Sequence, residues 1–231
     1  MNPTPFLYIA FRNLNEAMKG TLNGTQIESI KDTINNFALA SAVSGLAASV
    51  IPGVAGVVAL LTQSGFVWAT YIKINKTLGI SMSEHTAKFL GTAIMTNIAT
   101  NAGATLATYA AAAVISFIPL FGQALAAATI AALGYMMVYV AAIIYLQLIS
   151  RLIKPDGTLT VAENDDTKHI INDIIKQSDI KGIIKEGRNA YKKAKNDGSL
   201  DNAKKNPKCP GCGAEIKFGQ KFCSDCGTAL M

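Results

Sequence analysis

Two tracts free of Asp, Glu, Lys and Arg constrain this chain more than any other feature: Thr33 to Ile72, 40 residues, and Phe89 to Ser150, 62 residues. At a rise of about 1.5 Å per residue, each is long enough for two helical passes of about 20 residues. Overall the 231 residues are 50% hydrophobic and 16% charged, with a mean hydropathy of +0.30, where soluble domains carry about 25% charged residues. Such a composition excludes a disordered chain. The length leaves room for one core and a small appendage, not for several enzymatic domains.

The breaks inside the tracts predict two helical hairpins. Residues Asn35 to Val50 form a first helix, Ile51-Pro52-Gly53 a turn, and Val54 to Leu78 the return, stopped at Gly79. Proline cannot continue a helical hydrogen-bond ladder, and glycine tolerates the turn. Ser81-Met82-Ser83-Glu84 reads as a capping box for a third helix to Ser116; Phe117-Ile118-Pro119-Leu120-Phe121-Gly122 turns, and a fourth helix runs to about Ile153. Ser49-Val50-Ile51-Pro52 recurs as Ser116-Phe117-Ile118-Pro119, either as a duplicated hairpin or by chance. The expected fold is mainly α: an N-terminal segment 1–29, a double-hairpin four-helix membrane bundle 30–154, an amphipathic linker 155–206 and a small cysteine-bearing domain 207–231.

Ala124 to Ile149 is the best candidate span, followed by Val54 to Ile72. Asn35 and Asn36 weaken the first helix; Asn97, Asn101 and Thr92, Thr96, Thr100, Thr105 and Thr108 dilute the third, and such residues are expected to face other helices rather than lipid. Trp68, Tyr71, Tyr139 and Tyr145 are candidates for an interfacial belt, with plain packing as the alternative. The competing architecture is a soluble bundle, but a helix that is apolar all round must be enclosed, and little chain remains to enclose four. Gly45 to Ser49 and the alanine runs 110–113 and 126–128 would let backbones approach closely, within one chain or between copies in a homo-oligomer. Lys31, Lys73, Lys76, Lys88, Arg151 and Lys154 flank the helix ends away from the turns, so the positive-inside rule places both termini in the cytoplasm. Met1 to Lys19 has neither the basic start nor the apolar core of a signal peptide, and no cleavage is expected.

Phe37-Ala38-Leu39-Ala40-Ser41, Ile51-Pro52-Gly53 and Ile74-Asn75-Lys76-Thr77-Leu78-Gly79-Ile80-Ser81 resemble a bacterial family of YcjF-like inner-membrane proteins and domains associated with Era-like GTPases. The likeness covers residues 30–150. It implies a helical module in the bacterial inner membrane and a GTPase as a separate partner, and it carries over no catalytic residue. The chain has no G-x-x-x-x-G-K-[ST] with which to cradle a nucleotide itself.

Beyond Lys154-Pro155-Asp156-Gly157 the character reverses. Ile170, Ile171, Ile174, Ile175, Ile180, Ile183, Ile184 and Tyr191 recur at helical spacing, with Asp165 and Asp166 as caps and with Gly182 and Gly187 expected to weaken or bend the later part. Lys181 to Lys208 holds nine basic and three acidic residues. This stripe docks on the bundle or lies on anionic headgroups; charge alone is a poor argument for nucleic acid.

All four cysteines fall in Cys209-Pro210-Gly211-Cys212-Gly213 and Cys223-Ser224-Asp225-Cys226-Gly227. Two C-x-x-C turns offer four thiolates to one cation, and a sulfur shell suits zinc better than harder ions. The stretch resembles the short C-terminal zinc ribbons of prokaryotic membrane and regulatory proteins. Its four ligands, Cys209, Cys212, Cys223 and Cys226, leave no position for a reactive water, so one structural Zn2+ is expected. His85 and His169 suggest surface residues, and no nucleophile–base pair or carboxylate pair stands out. The expected function is therefore a non-catalytic membrane-anchored adaptor that presents a cytoplasmic ribbon to a protein partner. The alternative is a pore-former or a conditionally inserting effector.

Overall fold

A computed structural model describes residues 5–48, 55–115, 123–154, 158–209, 212–217 and 223–226. Both expected proline turns, 51–53 and 117–122, lie outside the described residues. Eight helices are present among those described: α1 Pro5–Ala17, α2 Gly24–Ala48, α3 Ala55–Leu78, α4 Glu84–Ile115, α5 Gln123–Leu152, α6 Asp165–Gln177, α7 Ile180–Asn196 and α8 Ser199–Lys205. The chain is mainly α, as expected.

At the centre lies α5, which touches α1, α2, α3, α4, α6 and α7. Every residue from Gly134 to Leu146 is buried. Among the described residues it is the one helix long and apolar enough to cross a membrane, over Leu125–Leu152, and 78% of its apolar window is buried inside the protein. Of the four helices expected to be of this kind, one meets that description among the described residues. The sequence argument that too little chain remained to enclose the apolar helices also fails for α5, because α1, α6 and α7 add a wall to the four-helix arrangement.

Each element of that wall is amphipathic for a visible reason. In α1, Leu7, Ala10, Phe11 and Leu14 share one face and are buried, so the N-terminal segment is part of the core. The second helix starts eleven residues before Asn35, because Asn23 and Gln26 cap it reciprocally: the Gln26 amide donates to Asn23 Oδ1 at 2.9 Å, and the Asn23 amide to Gln26 Oε1 at 3.1 Å. α3 ends at Gly79, whose φ of +71° favours glycine. The cap of α4 is Ser83 rather than Ser81: its Oγ accepts from the Thr86 amide at 3.0 Å, while Glu84 pairs with Lys88. Asn164, not Asp165 or Asp166, is the N-cap of α6, and the two aspartates occupy its first turn.

Three further expectations are corrected. Tyr71, Tyr139 and Tyr145 form no surface belt; they are buried, and each hydroxyl has an internal partner. Tyr71 donates to the Ala141 carbonyl at 3.1 Å, Tyr139 to Glu186 at 3.1 Å and Tyr145 to Asn75 Oδ1 at 2.7 Å, while the Tyr71 and Tyr145 rings stack at 3.9 Å. Thr92, Thr96, Thr100, Asn101 and Thr108 lie on the exposed face of α4, not between helices. Several return their hydrogen bonds to their own helix, Thr100 to Thr96 and Thr108 to Ala104, both at 2.9 Å. Gly182 and Gly187 do not interrupt α7; they admit neighbours, and a Cβ on Gly182 would lie 2.5 Å from the Phe6 ring.

The isoleucine stripe docks on the bundle. Ile171, Ile174, Ile175, Ile183 and Ile184 are buried, and α6 and α7 pack on α4 and α5. Small residues serve contacts within the chain: a Cβ on Gly134 would meet Ser41 Oγ at 2.8 Å and the Ser41 carbonyl at 3.0 Å, which fixes how closely α2 approaches α5. Glu186 ties the two ends of the sequence together. Only 6% exposed, it accepts from the amides of Phe6 at 2.9 Å and Leu7 at 3.3 Å, and so caps α1 from α7.

Glu186→Ala should cost about 2 kcal/mol, since it removes a carboxylate that accepts from two amides and a buried tyrosine hydroxyl; urea unfolding monitored by circular dichroism measures it. Gly134→Val should cost a comparable amount, about 1–3 kcal/mol, by overpacking the α2–α5 contact.

Candidate metal centre

The first cysteine turn is shaped by its backbone. Lys208 and Glu215 form an antiparallel bridge, and the Cys209 amide donates to the Ala214 carbonyl at 2.8 Å. Between them the chain doubles back, with the Gly213 amide donating to the Cys209 carbonyl at 2.9 Å. Gly213 has a φ of +77°, where a side chain would be strained, so glycine follows Cys212 for a conformational reason. The Lys208 ammonium and Glu215 carboxylate close the hairpin at 3.0 Å.

Cys223 and Cys226 meet this turn. The four Sγ atoms all lie within 4.8 Å of one another, with Cys209–Cys226 and Cys212–Cys223 each at 3.6 Å. A tetrahedral shell with metal–sulfur bonds of about 2.3 Å has sulfur–sulfur edges of roughly 3.8 Å. The four thiols therefore fit one metal ion. They do not fit a pair of disulfides, whose sulfurs sit about 2.0 Å apart. Cys209 and Cys223 are buried, Cys212 and Cys226 exposed. The structure thus brings together all four residues that the spacing singles out. Among the described residues no second His, Cys, Asp or Glu group could hold a metal.

Desolvation pushes the Cys212 thiol up to about 12; hydrogen bonds with Cys226, Cys223 and Cys209 add to the shift, and one with the Ala214 backbone opposes it. A metal ion that takes Cys212 as a thiolate must displace its proton.

The histidines stand apart from this centre. His85 is exposed and its Nδ1 lies 2.7 Å from Glu163, which also accepts from the Thr86 hydroxyl at 2.7 Å. The pair ties the start of α4 to the connection before α6. His169 is exposed on α6.

What sequence reasoning missed is the seat of the centre. A Cβ on Gly213 would lie 3.2 Å from Cζ of the Phe37 ring, so the first cysteine turn rests on α2. No spacing rule links residues so far apart. The charge pattern offers one hint, because Lys73 ends the first uncharged tract directly beside this contact.

Comparison with protein-family models, with curated proteins and with solved structures finds no match to this chain.

Cys223→Ser should abolish binding of one metal ion per chain while leaving the far-ultraviolet helical signal nearly unchanged, because the described residues of the cysteine turns contain no helix and the eight helices have their own core. Metal release by a chelator and circular dichroism check the two halves of this expectation.

Proposed function

We propose that this chain is a non-catalytic, membrane-associated adaptor: the uncharged end of its bundle enters lipid, and its cysteine turns, holding one structural zinc, present a cytoplasmic surface to a protein partner. The observation that carries this reading is the partition of charge. The parts of α2 after Asp32, of α3 before Lys73, of α4 after Lys88 and of α5 before Arg151 contain no Asp, Glu, Lys or Arg. In contrast, all the charged residues of the C-terminal half lie from Arg151 onward, in and around the amphipathic helices α6 and α7.

Such a partition is costly to explain by solubility alone, since surfaces of soluble domains mix charges of both signs. On α4 the outer face consists of Ala, Thr and Asn whose hydroxyls and amides are largely bonded to their own helix, for instance Asn101 Nδ2 to the Asn97 carbonyl at 2.9 Å. Groups satisfied in this way tolerate lipid. From Ala55 to Ile72, α3 offers about 27 Å of uncharged helix, close to the thickness of a hydrocarbon core. Lys31, Lys73, Lys88 and Arg151 then lie at the cytoplasmic boundary, with both termini on that side. The likeness of residues 30–150 to the YcjF-like family supports the bacterial inner membrane, and a separate GTPase as the partner. For zinc the support is the all-sulfur, four-ligand shell. Association between copies would use the uncharged face of α4.

A second reading is favoured by one observation. α5, the most apolar helix, is wrapped by α1, α6 and α7, so a soluble form that unwraps and inserts on a signal is the alternative. Flotation with liposomes of anionic composition, followed by an alkaline wash, tests both. The adaptor floats without a trigger and resists the wash. A chain that stays monodisperse in detergent-free buffer and never floats contradicts insertion of either kind, while triggered flotation with ion conductance selects the effector.

A further inference from the structure

Between the cysteine turns and the bundle lies a cavity of about 200 Å³. Thr33, Asn36 and Phe37 of α2 and Lys73 of α3 form one side; Lys208 and Cys212 form the other. Among the described residues no acidic side chain lines it. Lys73 makes no ion pair among the described residues, while Lys208 shares its charge with Glu215 at 3.0 Å. Cys212, the ligand that faces this cavity, is one of the two exposed cysteines.

Four thiolates around a divalent cation carry a net charge of about −2. Lys73 and Lys208 both line the cavity that Cys212 faces. We propose that Lys73 and Lys208 are the counter-charges of the metal-loaded thiolate shell, so that metal occupancy fastens the cysteine turns to α2 and α3. Loading makes the shell anionic and draws Lys73 to it across the cavity. Loss of metal removes that attraction and uncovers the Phe37 ring. The surface of α2 and α3 around Phe37 is then open or closed according to the metal. The inference requires a divalent metal on the four cysteines and is independent of the membrane reading.

The contact between the Phe37 ring and Gly213 is a direct readout by nuclear Overhauser spectroscopy in the intact chain with one zinc bound, its content measured separately by colorimetric release. The contact should be present with zinc and lost on chelation. With zinc saturating, Lys73→Glu should abolish it, Lys73→Arg should retain it, and Lys76→Glu, an exposed position one turn further along α3, should leave it unchanged. In the unaltered chain with zinc still bound, about 1 M salt should weaken it by screening. Persistence of the contact in zinc-loaded Lys73→Glu overturns the proposal, as does persistence after chelation. Because zinc content is read independently of the contact, a chain that binds no zinc at all is recognised as a failure of the metal assignment rather than of the lysine clamp.

Discussion

Burial of α5 on every side organises the molecule. Its unbroken buried run from Gly134 to Leu146 includes Met136, Val138, Val140, Ile143, Ile144 and Leu146, and each large apolar side chain of this kind contributes about 1.5–3 kcal/mol when fully withdrawn from water. A helix of such uniform apolarity cannot choose a face. Six other helices must therefore share its circumference, and three of them, α1, α6 and α7, come from parts of the chain that look peripheral. The polar groups that α5 carries inward are answered one by one: Tyr135 by Asn35, Tyr139 by Glu186 and Tyr145 by Asn75. These bonds help to fix the register of α2, α3 and α7 against the central helix, because an unpaired buried hydroxyl is costly.

From that arrangement the division of the molecule follows. Glu186 of α7 holds the start of α1, and Phe6 fills the space left by Gly182, so the charged N- and C-terminal elements close over the same part of α5. The uncharged parts of α2 to α5 extend from this charged collar towards the two proline-containing connections. The metal centre sits at the border between the two regions, against Phe37. The uncharged parts of α2 to α5 and the cysteine turns thus occupy different parts of the molecule.

Where the signal was local, the sequence was legible. Two C-x-x-C pairs separated by ten residues marked the metal ligands because a tight turn presents two thiolates whatever surrounds it. The long apolar run of α5 and the isoleucine spacing of α6 and α7 were readable for the same reason. Two local signals were present but passed over: the Leu7, Ala10, Phe11, Leu14 spacing of α1, and the Asn23–Gln26 cap that begins α2. Other features depend on partners remote in sequence. Nothing around Glu186 announces that it caps a helix 180 residues away. Glycines that weaken an isolated helix become contact points once Phe6 or Tyr139 lies against them, and tyrosines suited to an interface become core residues once their hydroxyls find acceptors. The threonines of α4 were misplaced because hydroxyls that bond to their own helix have no need of a neighbour.

The measurement that bears most directly on the account is the depth of the uncharged end in a bilayer. Ala126, exposed on α5 near its start, can be replaced by tryptophan in a chain whose single native tryptophan, Trp68, is changed to phenylalanine. Reconstituted with phospholipids brominated along the acyl chain, that indole should be strongly quenched. Emission at a water-exposed wavelength, indifferent to the bromines at every position, would contradict insertion of the bundle.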